Sequence, residues 1–151
     1  YARNHLLGLT VHAGESWGPE SIHQALFFCG AHRIGHGITL TQDPELLNFV
    51  RDHQIPLEIC PTSNVQTQVV SSYEEHPIAE LVRSGVAVTI NTDSRLFSHT
   101  NSSGELFLAH TRCGLTAEET REVVLNGFKH AFLPHKRKME LLEEAKSLIS
   151  I

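Results

Sequence analysis

Short apolar runs alternate with stretches of helical periodicity along most of the chain. The run from Leu6 to Val11 contains residues that favour β-structure, and it predicts a buried strand. Gly18-Pro19-Glu20 then predicts a helix start, because proline fits the first helical turn and an acidic side chain is stabilised by the helix dipole. The apolar residues that follow have the spacing of one helix face: Ile22, Ala25, Leu26 and Cys29.

The same order of strand and helix recurs further along the chain. Strands are predicted at Arg33 to Gly37, Pro56 to Cys60 and Val86 to Ile90. Helices are predicted after Asp43-Pro44-Glu45 and between Pro77 and Gly85, whereas Pro61-Thr62-Ser63-Asn64 is expected to form a polar turn. Further helices are expected around Glu105 to Arg112, after the capping box that begins at Thr116, and beyond Pro134.

The repeat length favours an α/β fold with a parallel sheet. The strand ends are roughly 24 to 33 residues apart, which is the size of a β-α unit, and strands that are apolar on both faces are typical of parallel sheets. An open doubly wound sheet and a (β/α)8 barrel both fit this pattern. The glycine-rich phosphate fingerprint and the G-x-S-x-G motif are absent, which excludes two common kinds of α/β enzyme.

Composition and net charge argue against two classes of binding partner, nucleic acids and membranes. The chain has 151 residues, of which 40% are hydrophobic, and this content supports a packed core. The net charge of −5 has the wrong sign for binding nucleic acid, and no apolar run approaches the length of a membrane span. The three cysteines form no C-x-x-C pair. We therefore expect a cytoplasmic protein whose partner is neither a nucleic acid nor a membrane.

Ionisable and polar residues follow each predicted strand. His12 and Glu15 follow the first, His36 the second, Ser63 and Asn64 the third, and Asp93 and Ser94 the fourth. The carboxyl ends of parallel strands meet at one face, where barrel enzymes have their active sites, and imidazole with carboxylate is a ligand set that zinc prefers. The other histidines are interpreted as structural: His5, His23, His32, His53, His76, His99, His110, His130 and His135.

Four short segments of the chain together resemble the C-terminal half of the adenosine deaminase family, in the metal-dependent amidohydrolase superfamily. They are Thr10-Val11-His12-Ala13-Gly14-Glu15, Arg33-Ile34-Gly35-His36-Gly37, Thr62-Ser63-Asn64 and Asn91-Thr92-Asp93. Gly114-Leu115-Thr116 and Asn126-Gly127-Phe128 are also similar, so the resemblance covers nearly the whole chain. It implies that residues 1–151 are half of a (β/α)8 barrel, with four strands, their helices and additional C-terminal helices, and that the N-terminal half lies outside this chain.

The resemblance implies a zinc-dependent hydrolysis of adenosine or deoxyadenosine to inosine or deoxyinosine, with release of ammonia. His12 and Asp93 match zinc-ligand positions, for one zinc ion in each complete active site. Glu15 matches the acid that protonates purine N1, and His36 matches the residue that positions or deprotonates the attacking water. These residue types suit the reaction, because zinc lowers the pKa of water and a buried glutamate can exchange a proton.

Two departures from the family pattern leave alternatives open. The family's H-x-H ligand pair is absent from this chain, and Ser94 stands where many members have a second aspartate that contacts purine N7. The segment that begins with Arg95-Leu96-Phe97 is similar to a bacterial branch with a non-acidic residue there. The alternatives are a deaminase of another 6-aminopurine, such as adenine, AMP or a modified nucleoside, and a non-catalytic half-barrel that binds a partner.

Overall fold

The fold is built on one parallel sheet with its strands in sequential order. The computed structural model describes residues 2–149, apart from the side chain of Arg3. The strands are β1 (Thr10–Ala13), β2 (Arg33–His36), β3 (Leu57–Ile59) and β4 (Val88–Ile90), and their order in the sheet is β1-β2-β3-β4. A doubly wound sheet reverses its strand order at a switch point, whereas a barrel keeps the sequential order. The order therefore favours the barrel architecture.

Eight α-helices follow or connect the strands in the described part of the chain. They are α1 (Gly18–Phe27), α2 (Pro44–Asp52), α3 (Pro61–Gln66), α4 (Ile78–Arg83), α5 (Arg95–Ser98), α6 (Ser102–Thr111), α7 (Ala117–Lys129) and α8 (His135–Ile149). Short 3₁₀ helices occur at Ala2–His5 and Ile38–Gln42. Among residues 2–149, none of the helices combines the length and the apolar character that crossing a membrane requires.

The helix starts follow the signals in the sequence. The Asp43 side chain accepts a hydrogen bond from the Leu46 backbone N–H at 3.0 Å, as an N-cap residue does. Thr116 and Glu119 form both hydrogen bonds of the predicted capping box. Local sequence chemistry therefore determines where these helices begin.

Two segments differ from the sequence prediction. β1 begins at Thr10 and not at Leu6, because its ladder starts where Thr10 pairs with Arg33 of the neighbouring strand; Leu6 is exposed. The predicted polar turn after β3 is the first turn of α3, in which Pro61 occupies the first helical position and the Asn64 N–H donates to the Cys60 carbonyl at 3.0 Å.

The two faces of the sheet differ in polarity. One face packs into the core through a set of fully buried aliphatic side chains: Ile34, Leu57, Ile59 and Val88. On the other face, Arg33 Nε lies 3.0 Å from Glu58 Oε1 and 3.1 Å from Thr10 Oγ1, and Thr10 donates to Glu58 Oε2 at 3.0 Å. The expectation that the strands are apolar on both faces is wrong for this second face, where the polar groups satisfy one another.

The loops after β1 and β2 approach each other closely at two glycines. Gly14 and Gly37 have φ values of +67° and +70°, a conformation that favours glycine. A Cβ atom on Gly14 would lie 2.9 Å from the Gly37 Cα atom and 2.4 Å from the Ile22 Cδ1 atom. The Gly37 N–H also donates to the Ala13 carbonyl at 2.9 Å. The two loops that carry Glu15 and His36 are therefore held together by backbone contacts.

Substitution Gly14→Ala should lower the free energy of unfolding by about 1–3 kcal/mol, since it adds backbone strain and a steric clash. The matched control is Gly127→Ala in α7, where a Cβ atom would meet nothing within 4 Å. That change should raise the free energy of unfolding by roughly 0.5–1 kcal/mol. Chemical denaturation of the complete protein measures both values, and equal effects of the two variants would contradict the close packing at Gly14.

Candidate active site

Three predicted site residues converge at the carboxyl ends of β1 and β2. One ligand atom from each of His12, Glu15 and His36 lies within 4.8 Å of the others. His12 Nε2 is 2.9 Å from Glu15 Oε2, and the ring centroids of His12 and His36 are 4.3 Å apart. This cluster of two imidazoles and a carboxylate could hold a metal ion.

The backbone has an unusual conformation at the end of β2 and in the loop after β4. His36 has a φ of +66° and Asp93 a φ of +51°, in the left-handed region that residues other than glycine rarely adopt. Strand alternation alone would place His36 on the same face as Ile34, in the core. Since the φ of His36, the last residue of β2, is left-handed, alternation no longer determines the direction of its side chain, and its ring lies beside His12.

The short helix α3 contacts this cluster through Asn64. The Asn64 side chain is fully buried, and its Nδ2 is 3.0 Å from both Glu15 Oε1 and His36 Nδ1. The neighbouring Ser63 donates from Oγ to Asp93 Oδ2 at 2.8 Å. One turn of helix therefore connects the residues that follow β1 and β2 with the residue that follows β4.

Asp93 and Ser94 lie apart from the three-residue cluster. Asp93 is exposed, but it is near enough to His36 for its charge to raise the pKa of that imidazole. Ser94 is exposed at the N-cap position of α5, and its side chain does not cap the helix. The structure thus brings His12, Glu15 and His36 together, connects Asp93 to them through Ser63, and leaves Ser94 at the rim.

Burial determines the protonation of two groups at the site. Burial lowers the pKa of His36 below 6.5, although the Glu15 charge acts in the opposite direction, so the imidazole is neutral at neutral pH. Burial and the Asp93 charge raise the pKa of Cys60 to about 12. Cys60 is therefore a neutral thiol, which suits neither a nucleophile nor a metal ligand.

Two buried residues behind the cluster were not identified from the sequence. His76, 4% exposed, contacts Asn64 Oδ1 through Nε2 at 3.3 Å. Glu105 is fully buried, and its Oε2 accepts a hydrogen bond from the Thr62 N–H at 3.0 Å. The spacing of Glu105 with the apolar Ala109 along α6 could have indicated a buried carboxylate, whereas nothing around His76 distinguishes it from a surface histidine.

Comparison with known proteins identifies the family of this chain. A family model described as adenosine deaminase matches residues 1–148. The chain belongs to the adenosine deaminase family. The adenosine deaminase of Serratia proteamaculans (strain 568) is 43% identical over 145 residues, which cover 96% of this chain and 44% of that protein. The chain therefore spans less than half the length of this curated relative.

Solved structures share the fold of this adenosine deaminase family member. An adenine deaminase from Arthrobacter aurescens matches 99% of this chain and 46% of its own, with a TM-score of 0.94 and 26% identity. Arabidopsis ADAL complexed with IMP matches 99% of this chain and 43% of its own, with a TM-score of 0.85 and 30% identity. The four-stranded α/β unit thus corresponds to part of a (β/α)8 amidohydrolase barrel, as predicted.

Proposed function

We propose that the complete protein catalyses zinc-dependent hydrolytic deamination of adenosine or deoxyadenosine, giving inosine or deoxyinosine and ammonia. The observation that carries this proposal is the position of Glu15 between His12 and His36 at the carboxyl ends of parallel strands. The small molecule that the protein binds would then be a purine nucleoside. We also propose a reducing, cytoplasmic location, with which the three free cysteines agree.

Residues 1–151 would form the C-terminal half of the catalytic barrel. A (β/α)8 barrel has eight strands, and the described residues supply four of them in sequential order. The other half would provide the remaining strands and the H-x-H pair that is typical of the family. Both halves would then contribute to the same active site.

The donor types of His12 and Asp93 suit a zinc ion. His12 offers an imidazole whose side chain is 65% exposed, and Asp93 offers a carboxylate whose Oδ2 accepts from Ser63. Nitrogen and oxygen donors of this kind, completed by further histidines, are typical of catalytic zinc sites. A zinc ion bound there would lower the pKa of a water molecule to about 7 and so supply a nucleophile at neutral pH.

The chain's own residues would handle the proton transfers. Glu15 has a side chain that is only 9% exposed and is held at Oε1 by Asn64, and its carboxyl group would give a proton to purine N1 as hydroxide adds to C6. His36, which is neutral, would position the attacking water. Ser94 would contact the purine N7 from the rim of the site.

Substitution Glu15→Gln should lower kcat by about 10²- to 10⁴-fold, because it removes the acid but keeps the shape of the side chain. Zinc content should stay unchanged, since Glu15 is not assigned as a ligand. The control is Glu20→Gln on α1, an exposed glutamate whose Oε1 accepts a hydrogen bond from Gln24 at 3.4 Å. Ammonia release from adenosine measures the rates, and undiminished activity of Glu15→Gln would refute the assignment.

Substitution Asp93→Ala should cost both zinc and rate. Removal of one of the proposed ligands should lower the metal content of purified protein and reduce turnover in parallel. Asp52→Ala is the matched control, because Asp52 is an exposed carboxylate at the end of α2 that pairs with Arg51. Atomic emission spectrometry measures the metal, and full zinc occupancy in Asp93→Ala would show that Asp93 is not a ligand.

A second candidate is deamination of another 6-aminopurine. The structural neighbours include an adenine deaminase and a protein complexed with IMP, and Ser94 replaces an acidic residue at the proposed N7 contact. We expect ammonia release from adenosine to have a higher kcat/KM than release from adenine or AMP. A higher value for adenine or AMP would select the second candidate, and no release from any of them would favour a non-catalytic binding role.

A further inference from the structure

We propose that His76 and Asn64 are positioning residues, in which His76 fixes the side-chain amide of Asn64 so that it donates to both Glu15 and His36. The proposal rests on the function proposed above for Glu15 and His36. His76 lies between α3 and α4 and touches neither of the proposed zinc ligands in the hydrogen bonds described for it. Its influence on the reaction would therefore pass entirely through Asn64.

The contacts of His76 determine which of its ring nitrogens carries the hydrogen. Nδ1 accepts a hydrogen bond from the Ile78 backbone N–H at 3.2 Å, so it needs its lone pair. Burial lowers the pKa of His76 to about 4, and the ring is therefore neutral at pH 7. A neutral imidazole with an accepting Nδ1 has its hydrogen on Nε2. That hydrogen points to Asn64 Oδ1, which lies 3.3 Å away.

This donor in turn determines the orientation of the Asn64 amide. With Oδ1 facing His76, the two hydrogens on Nδ2 face Glu15 Oε1 and His36 Nδ1, each at 3.0 Å. A rotated amide would place its oxygen against the Glu15 carboxylate and its NH₂ group against the His76 N–H. Both contacts would be repulsive, and no water could relieve them, because the Asn64 side chain is fully buried.

The fixed amide assigns separate tasks to the atoms of Glu15 and His36. Because Glu15 Oε1 accepts from Asn64, the exchangeable proton would be carried on Oε2, the oxygen that lies 2.9 Å from His12 Nε2. Because His36 Nδ1 also accepts from Asn64, its hydrogen is on Nε2. His36 would then hold the attacking water by donating a hydrogen bond to it. This favours the positioning role of His36 over its role as a base.

Three variants of the complete, zinc-loaded protein test the relay by kinetics. His76→Phe keeps most of the side-chain volume but removes the donor, and it should lower kcat by about 10- to 100-fold, with KM and zinc content nearly unchanged. His76→Gln can place an N–H near the position of Nε2 and should restore most of kcat. His53→Phe is the matched control, because His53 is an exposed histidine directly after the C-terminal end of α2. This substitution should leave kcat unchanged. Equal rates of His76→Phe and His53→Phe would overturn the relay, as would equally slow His76→Phe and His76→Gln enzymes.

A measurement on the unmodified protein depends on neither folding of a variant nor turnover. Nitrogen-15 NMR of labelled histidines at pH 7 should show His76 as the neutral tautomer with its hydrogen on Nε2. A hydrogen on Nδ1 would overturn the relay, whatever the activity. If the unmodified protein releases no ammonia while His76 has the expected tautomer, the proposed function fails and the orientation of Asn64 stands.

Discussion

The first turn of α3 is the constraint on which the site depends, because its side chains contact residues that follow three different strands. Ser63 holds Asp93, and Asn64 holds Glu15 and His36. The turn is itself anchored from a distant helix, since Glu105 of α6 accepts a hydrogen bond from the Thr62 N–H. A carboxylate at this place takes over the role of an N-cap side chain, which Cys60 does not supply. Displacement of α3 would therefore disturb the contacts of Glu15, His36 and Asp93 at once.

The parts of the fold that follow from local chemistry could be predicted from the sequence. Asp43 and Thr116 begin helices because their side chains satisfy backbone N–H groups that would otherwise lack partners. The position of His12 and His36 at one edge of the sheet was also predictable, because parallel strands end at the same edge, whereas the direction of the His36 ring depends on its left-handed backbone. In these cases the information lies in a few neighbouring residues or in the repeat of the strands.

The remaining parts depend on contacts between residues distant in sequence. The polar face of the sheet arises because Arg33 pairs with Glu58, which is 25 residues away along the chain and adjacent only in the folded sheet. The guanidinium of Arg33 also lies 3.6 Å from the ring centroid of Phe132, beyond α7. His76 likewise acquires its partner only when the loop before α4 packs beneath α3. No spacing rule on a single sequence identifies such pairs.

The contacts of α3 stabilise a strained backbone at two site residues, His36 and Asp93. A left-handed conformation at a residue other than glycine costs free energy, and it persists only where surrounding contacts determine it. Asn64 supplies such a contact for His36, and Ser63 supplies one for Asp93. Because α3 provides both contacts, its position fixes two strained residues together. The side chains are then held in place before a substrate arrives, and their dipoles need little reorganisation as charge develops on the reacting purine. The contacts of α3 thus offset the free-energy cost of the left-handed backbone at His36 and Asp93. They also maintain the geometry that the proposed reaction needs.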